Sequence, residues 1–443
     1  MPSETDNPVE TSSAQHPSAL ALMPFAVLAT VYLLFAVVMG NLSKVPMTTA
    51  FIAASAAALL MNRNRPLNQK TEIFAAGMGS RDIMIMCLVF ILAGTFTASA
   101  KAAGGVDAAV AVTLHFVPSE FLVAGLFVVS ALISLAVGTS CGTIAAIVPI
   151  AALLAQSVHA DAGIVIGAAV GGAMFGDNLS LISDTTIAAT RTQGATMRDK
   201  MLGNLKIVLA PALICAALYM LPMFSSLDGS HPATDIGWDT CLKIFPYLLL
   251  LGLGVCGVNV MLLLLAGTVL NTGIGIAFNA VDGAGALETL GNGAISMAET
   301  LIVALLAGGL LALVRVNGGI DFLLESAGRW VKGRKSCEAA LCLLTGTINL
   351  FTANNTVAII TAGPVAREMA HRYNVSPQRS ACLLDTRSCV VQGMIPYGAQ
   401  ILIASSLTAS YGLGPIDIIK GLFYPILMAL GLLFSILFHR IKQ

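Results

Sequence analysis

The chain has 443 residues, 57% of them hydrophobic and 10% charged, with a mean hydropathy of +0.86. Soluble domains carry about 25% charged residues, so this composition excludes a soluble globular protein and reads as an all-α polytopic membrane protein. Lys plus Arg and Asp plus Glu each number 23, and a net charge of zero implies no nucleic acid or other polyanion as partner.

Residues 1–20 are polar, acidic and rich in Ser and Pro. They lack the basic start of a signal peptide and read as a disordered cytoplasmic tail. Apolar runs at 22–40 and 45–61 predict the first two spans, joined by the short GNLSK turn. The stretch 62–81 carries Arg63, Arg65, Lys70 and Arg81. It reads as a cytoplasmic basic loop, which also puts the N-terminus inside. A third span is expected at 82–100, then a short amphipathic piece at 104–116. The apolar run 120–157 is too long for one span and is interrupted by GTSCGT at 138–143. It predicts a re-entrant hairpin whose tip places Ser140 and Thr143 at membrane depth, where irregular backbone is tolerated only against protein or water. A kinked single helix packed by small residues is the plainer reading of the same run.

The densest cluster of polar groups in an apolar setting is 171–186, GGAMFGDNLSLISDTT. Two carboxylates, one amide and four hydroxyls interrupt the run there. A carboxylate at the centre of a membrane helix costs about 2.5–3.5 kcal/mol on insertion scales, so such groups face a partner, an ion or a water-filled cavity. Asp177 and Asp184 are seven residues apart and share a face if the helix is continuous. The glycines make a break plausible, and a break frees backbone carbonyls as ligands. Hard oxygens in a confined space suit a small hard cation or a proton. This fourth span leads to Arg191, Arg198, Lys200 and Lys206, which read as a basic cytoplasmic segment. A fifth span follows at 202–223, and then the loop 224–239 carries Asp228, Asp235 and Asp239 without Lys or Arg, as an external loop does.

The second half repeats the first. Spans are expected at 241–258, 259–280 and 297–315, then an internal basic stretch at 315–335. A second hairpin at 337–369 is interrupted at Asn354, Asn355 and Thr356. A ninth span at 379–410 is broken at 393–398, GMIPYG, and a tenth runs over 416–438 to a basic terminus inside. Gly77, Leu92-Ala93-Gly94 and Gly104-Gly105 recur as Gly291, Leu306-Ala307-Gly308 and Gly318-Gly319, all separated by 214 residues. Five spans per half is an odd number, so the halves are expected to be inverted: 21–223 with hairpin 120–157, and 241–439 with hairpin 337–369, joined by a linker at 224–240.

The two tips and two breaks are expected to converge. The first half brings Asp177, Asn178, Ser180, Asp184, Thr185, Thr186, Ser140 and Thr143; the second brings Asn354, Asn355, Thr356, Tyr397 and Gln400. Asp177 reads as the primary carrier of a small hard cation and of a proton, and Asp184 as a second titrating group or an orienting ligand. Asp385 and Arg387 read as an internal ion pair near the cytoplasmic face. Alternatively, Arg387 binds a substrate carboxylate. The nine Cys form no CxxC pair and the six His show no metal spacing. With no phosphate-binding GxxxxGK[ST] element and no catalytic constellation, neither ATP drive nor an enzyme is expected, and no cofactor beyond Na+ and H+ as transported or coupling ions.

The run GDNLSLISDTTIAAT resembles the signature of NhaC-type Na+/H+ antiporters, a branch of the ion transporter superfamily, and the likeness extends over most of the chain. The resemblance implies Na+/H+ antiport in the inner membrane of a prokaryote. It also implies a homodimer with a moving, elevator-type transport domain. The alternative is Na+- or H+-coupled movement of a small organic anion or amino acid.

Overall fold

The computed structural model describes residues 17–39, 47–62, 64–116, 118, 121–181, 183–221, 237–255, 258–329 and 331–438. The GNLSK turn, Arg63, most of the N-terminal tail, most of the loop 224–239 and the basic C-terminus lie outside the described residues.

The described residues are helical throughout, with no strand. The first half comprises α1 (Met23–Met39), α2 (Met47–Leu60), α3 (Leu67–Met78), α4 (Arg81–Ala102), α5 (Gly105–Phe116), α6 (Leu122–Val137), α7 (Ser140–Ser157), α8 (Ala162–Leu179), α9 (Asp184–Gln193) and α10 (Met197–Tyr219). The second comprises α11 (Trp238–Val255), α12 (Val260–Ala277), α13 (Gly283–Ile295), α14 (Ala298–Val316), α15 (Gly319–Arg329), α16 (Arg334–Thr352), α17 (Asn355–Arg372), α18 (Pro377–Met394), α19 (Ala399–Leu407), α20 (Pro415–Gly421) and α21 (Tyr424–Phe438). Six helical stretches among the described residues are long and apolar enough to cross a membrane, or seven if α20 and α21, bent by 56°, count as one span. Leu33, Leu34, Val37 and Val38 on α1 and Leu430, Leu433 and Phe434 on α21 are exposed, as suits a multi-pass protein with lipid as its outer solvent.

Packing is reciprocal between the halves. Helix α3 packs on α14 and α4 on α13, while α2 also meets α14 and α12 meets α4. These helices touch backbone to backbone. A Cβ on Gly77 would lie 2.5 Å from the Gly308 carbonyl oxygen, and one on Gly94 would lie 2.2 Å from that of Gly293. Only a residue without a side chain permits this approach. Further along, α7 packs on α19 and α17 on α9, so the second arm of each hairpin meets the helix that follows the break in the opposite half.

The hairpins turn sharply. Gly138 (φ 75°) ends α6 and Ala353 (φ 50°) ends α16, both left-handed, and Thr139 and Asn354 cap the returning arms. The Asn354 side chain accepts from the Val357 amide at 3.0 Å, covering an otherwise orphan donor at the start of α17.

The segment 62–81 is not a loop throughout. Helix α3 occupies much of it, and Lys70 is buried. Its ammonium donates to the carbonyls of Leu59 (2.6 Å) and Met61 (2.8 Å), which the end of α2 leaves unpaired. This lysine is thus bonded at a helix C-terminus, where a cation is favourable.

Candidate functional site

Helix α8 is driven into the centre of the fold by small residues. A Cβ on Gly176 would sit 2.1 Å from the Ala131 carbonyl oxygen on α6, so the last turn of α8 lies directly on that helix. Asp161 caps the N-terminus of α8, accepting from the Ile164 amide at 3.2 Å. The helix stops at Leu179, the chain runs extended through Ser180, and α9 starts at Asp184.

Asp177 occupies the last turn of α8 and is half-buried. The Ser140 hydroxyl, first in α7, donates to its Oδ2 at 2.8 Å, and the Ser183 hydroxyl donates to its Oδ1 at 2.7 Å. Ser183 in turn shares a 3.0 Å bond with Thr185, and the Gln400 amide donates to Ser140 Oγ at 3.0 Å. Each carboxylate oxygen thus meets a neutral hydroxyl, and no ion pair to Asp177 is present among the described residues. Gln400 brings α19 of the second half into the same chain of bonds.

Asn178 faces a different set of groups. Its carbonyl, freed by the end of α8, accepts from Lys200 Nζ at 2.9 Å and from Asn204 Nδ2 at 3.0 Å. Asn204 also donates to Asn178 Oδ1 (2.8 Å) and to Asp385 Oδ2 (2.7 Å). Lys200 pairs with Asp385 at 2.5 Å and donates to Thr186 Oγ1 at 2.7 Å, with both charged side chains fully buried. Thr186 donates to the Ser180 carbonyl at 2.8 Å, so the extended turn is tied from both ends.

Several expectations change here. Asp177 and Asp184 do not share the face of one helix, because the chain breaks between them; Asp184 opens α9 and is exposed. Lys200 is not in a solvated basic segment. It lies on the buried stripe of α10 with Asn204, Val208, Cys215 and Tyr219, whereas Arg191, Arg198 and Lys206 are exposed. Asp385 pairs with Lys200 rather than with Arg387, since positions two apart on a helix point away from each other. The Arg387 Nε is buried with no hydrogen-bond partner and lies against Gly346, where a Cβ would be 2.6 Å away.

The remaining second-half candidates are bound within their own half. Asn349 donates to Asn355 Oδ1 at 3.0 Å and to the Ser388 carbonyl at 2.6 Å. Tyr397 donates to the Leu350 carbonyl at 2.8 Å. Thr356 is half-buried, and Thr143 donates back to the Thr139 carbonyl at 3.0 Å. No hydrogen bond joins Asn354, Asn355, Thr356 or Tyr397 to Asp177 among the described residues. The residues absent from the sequence-based set are Ser183, Lys200, Asn204 and Gln392, the last donating to the Ala353 carbonyl at 2.7 Å. Helical spacing from Lys200 to Asn204, in phase with an apolar stripe, is the signal that marks the first buried pair.

The chain is 23% identical over 411 residues to the Na+/H+ antiporter NhaC of Bacillus subtilis, which covers 86% of this chain and 89% of that protein. It is 23% identical over 374 residues to the arginine/ornithine antiporter ArcD of Halobacterium salinarum, covering 74% of each. Among solved structures, the YdaH transporter of Alcanivorax borkumensis matches with a TM-score of 0.44 and 16% identity, over 95% of this chain and 98% of that one. A family model described as the Na+/H+ antiporter family matches residues 8–223 and 238–439, and the chain belongs to that family.

Proposed function

We propose that the chain is a secondary active transporter exchanging Na+ for H+ at Asp177. The observation that carries this reading is a carboxylate in the interior of a multi-pass protein, held by two hydroxyls and with no ion pair among the described residues. Such a group is unfavourable in the membrane unless it binds something. A proton and Na+ compete for the same oxygens, so a carrier that reorients only when loaded exchanges one for the other. Ser140 and Ser183 serve either state: their hydroxyls donate to the bare carboxylate and present oxygen lone pairs to a bound cation. Thr185 and Gln400 hold those two serines, and Asp184, at the mouth of α9, is placed to meet ions arriving from water.

The same reading extends to the architecture. Ten spans and two hairpins form two inverted repeats, 21–223 and 241–439, with the linker 224–240 outside. The protein works in the inner membrane of a prokaryote as a homodimer with both termini cytoplasmic, and an elevator-type movement carries the site across. The reciprocal packing of α3 with α14 and of α4 with α13 supports the inversion. No resident cofactor enters this cycle.

One observation favours a second reading, coupled transport of a small organic anion or amino acid: the partnerless Arg387 Nε, which suits a carboxylate. The purified protein, reconstituted in liposomes with a pH gradient, separates the two. Antiport predicts that NaCl alone dissipates the gradient. Dissipation only when an amino acid or carboxylate accompanies Na+ would contradict it and favour the second reading.

A further inference from the structure

Lys200 is a charged group that the exchange at Asp177 does not use. Its ammonium has three N–H donors and three oxygen acceptors, each of a different kind: the Asp385 carboxylate at 2.5 Å, the Asn178 backbone carbonyl at 2.9 Å and the Thr186 hydroxyl at 2.7 Å. They come from three separate elements, α18, the last turn of α8, and α9. A carboxylate, a carbonyl freed by a broken helix and a hydroxyl are the oxygen types that ligate a hard monovalent cation in transporters. Thr386, next to Asp385, donates to Asn204 Oδ1 at 3.4 Å and so holds the amide that binds Asp385.

Stability alone is a weak reason for this pair. A buried ion pair often contributes no more than apolar residues of the same volume, because desolvation offsets the attraction. The Lys200 stem reaches the oxygens along the buried stripe of α10, and both charges are removed from solvent. The neighbouring carboxylate, Asp177, is one residue from Asn178 and has no ion-pair partner among the described residues. Two intramembrane carboxylates therefore differ in one respect: one has its cation attached to the chain.

We propose that the Lys200 ammonium is a tethered cation that fills an oxygen-lined site formed by Asp385, Asn178 and Thr186, so that the protein carries an exchangeable ion at Asp177 alone. This rests on the antiport reading and specifies its stoichiometry. Lys200 is a positioning residue, and its charge also fixes the backbone of the break while Asp177 loads and unloads. Removing it opens a second sodium site beside the first.

The test compares purified full-length wild type, Lys200→Ala and the double variant Lys200→Ala/Asp385→Ala. Radioactive sodium bound at saturation is measured by equilibrium dialysis, and melting is followed in NaCl and in choline chloride at equal ionic strength. The expected result is that Lys200→Ala binds about twice the sodium of wild type, and that its melting temperature depends on NaCl more steeply, because a ligand of the folded state stabilises it. The double variant is expected to bind as wild type does and to melt with the wild-type dependence on NaCl. The proposal is overturned if Lys200→Ala binds no more sodium than wild type, or if it fails to fold in either salt while the double variant folds. Wild type that binds no sodium defeats the antiport reading instead, whereas the difference between Lys200→Ala and wild type alone decides the tethered cation.

Discussion

The two helix breaks, after Leu179 in the first half and after Met394 in the second, share a plan and differ in charge. Each break is tied to the tip of its own half's hairpin: Asp177 receives Ser140 from the start of α7, and Gln392 donates to Ala353 at the end of α16. By the spacing of 214 residues, Val391 stands where Asp177 does and Gln392 where Asn178 does. The second break closes its hairpin with an amide and a carbonyl, both neutral. The first uses a carboxylate held by two hydroxyls, with no ion pair to it among the described residues. The two segments keep one register of 214 residues, and only the first carries a carboxylate at this place.

Substitutions at the two breaks separate their roles. The largest expected effect comes from charging the second break. Val391 is buried, and Val391→Asp places a carboxylate where no hydroxyl is bonded to it, at a cost of about 2.5–3.5 kcal/mol on insertion scales. A clear fall in melting temperature checks it. Next, Ser183→Ala removes one donor to Asp177. A hydrogen bond to a charged group is worth about 1.5–3 kcal/mol, so the half-saturating Na+ concentration for proton flux is expected to shift by about tenfold or more. A change in melting with unaltered Na+ dependence speaks against this role. Gln392→Ala removes a neutral bond worth about 0.5–1.5 kcal/mol; melting should fall modestly while Na+ dependence stays put. The smallest effect belongs to Ala353→Gly. The left-handed φ of 50° disfavours a side chain by about 1–2 kcal/mol, partly offset by the freedom glycine gains when unfolded. A slight rise in melting temperature is expected.

The broken helices and the duplication are legible in the letters because both depend on small residues at fixed spacing. Gly77, Gly94, Gly291 and Gly308 keep one register, and the contacts of Gly77 with Gly308 and of Gly94 with Gly293 are what that register permits. That Asp177 needs polar partners is legible too, since a bare acid in an apolar run is unfavourable. Its partners are less so. Ser180, Ser183, Thr185 and Thr186 are chemically alike, and only the course of the extended turn decides that Ser183 reaches the carboxylate while Thr186 turns to Lys200. Lys200 sits between Arg198 and Lys206, which are exposed, and only helical phase distinguishes it from them. Asp385 finds its cation in the other half of the chain, a pairing that local sequence does not encode. Asp184 faces outward because it begins a helix after the break instead of continuing the one before it.

The account stands most directly on one comparison, wild type against Asp177→Asn. The amide keeps the shape of the carboxylate and gives the first break the neutral chemistry of the second. In proteoliposomes carrying a pH gradient, wild type is expected to dissipate it on addition of NaCl, and Asp177→Asn to leave it intact while melting as a folded protein. Sodium-evoked proton flux at the wild-type rate in Asp177→Asn would contradict the assignment of this carboxylate as the carrier.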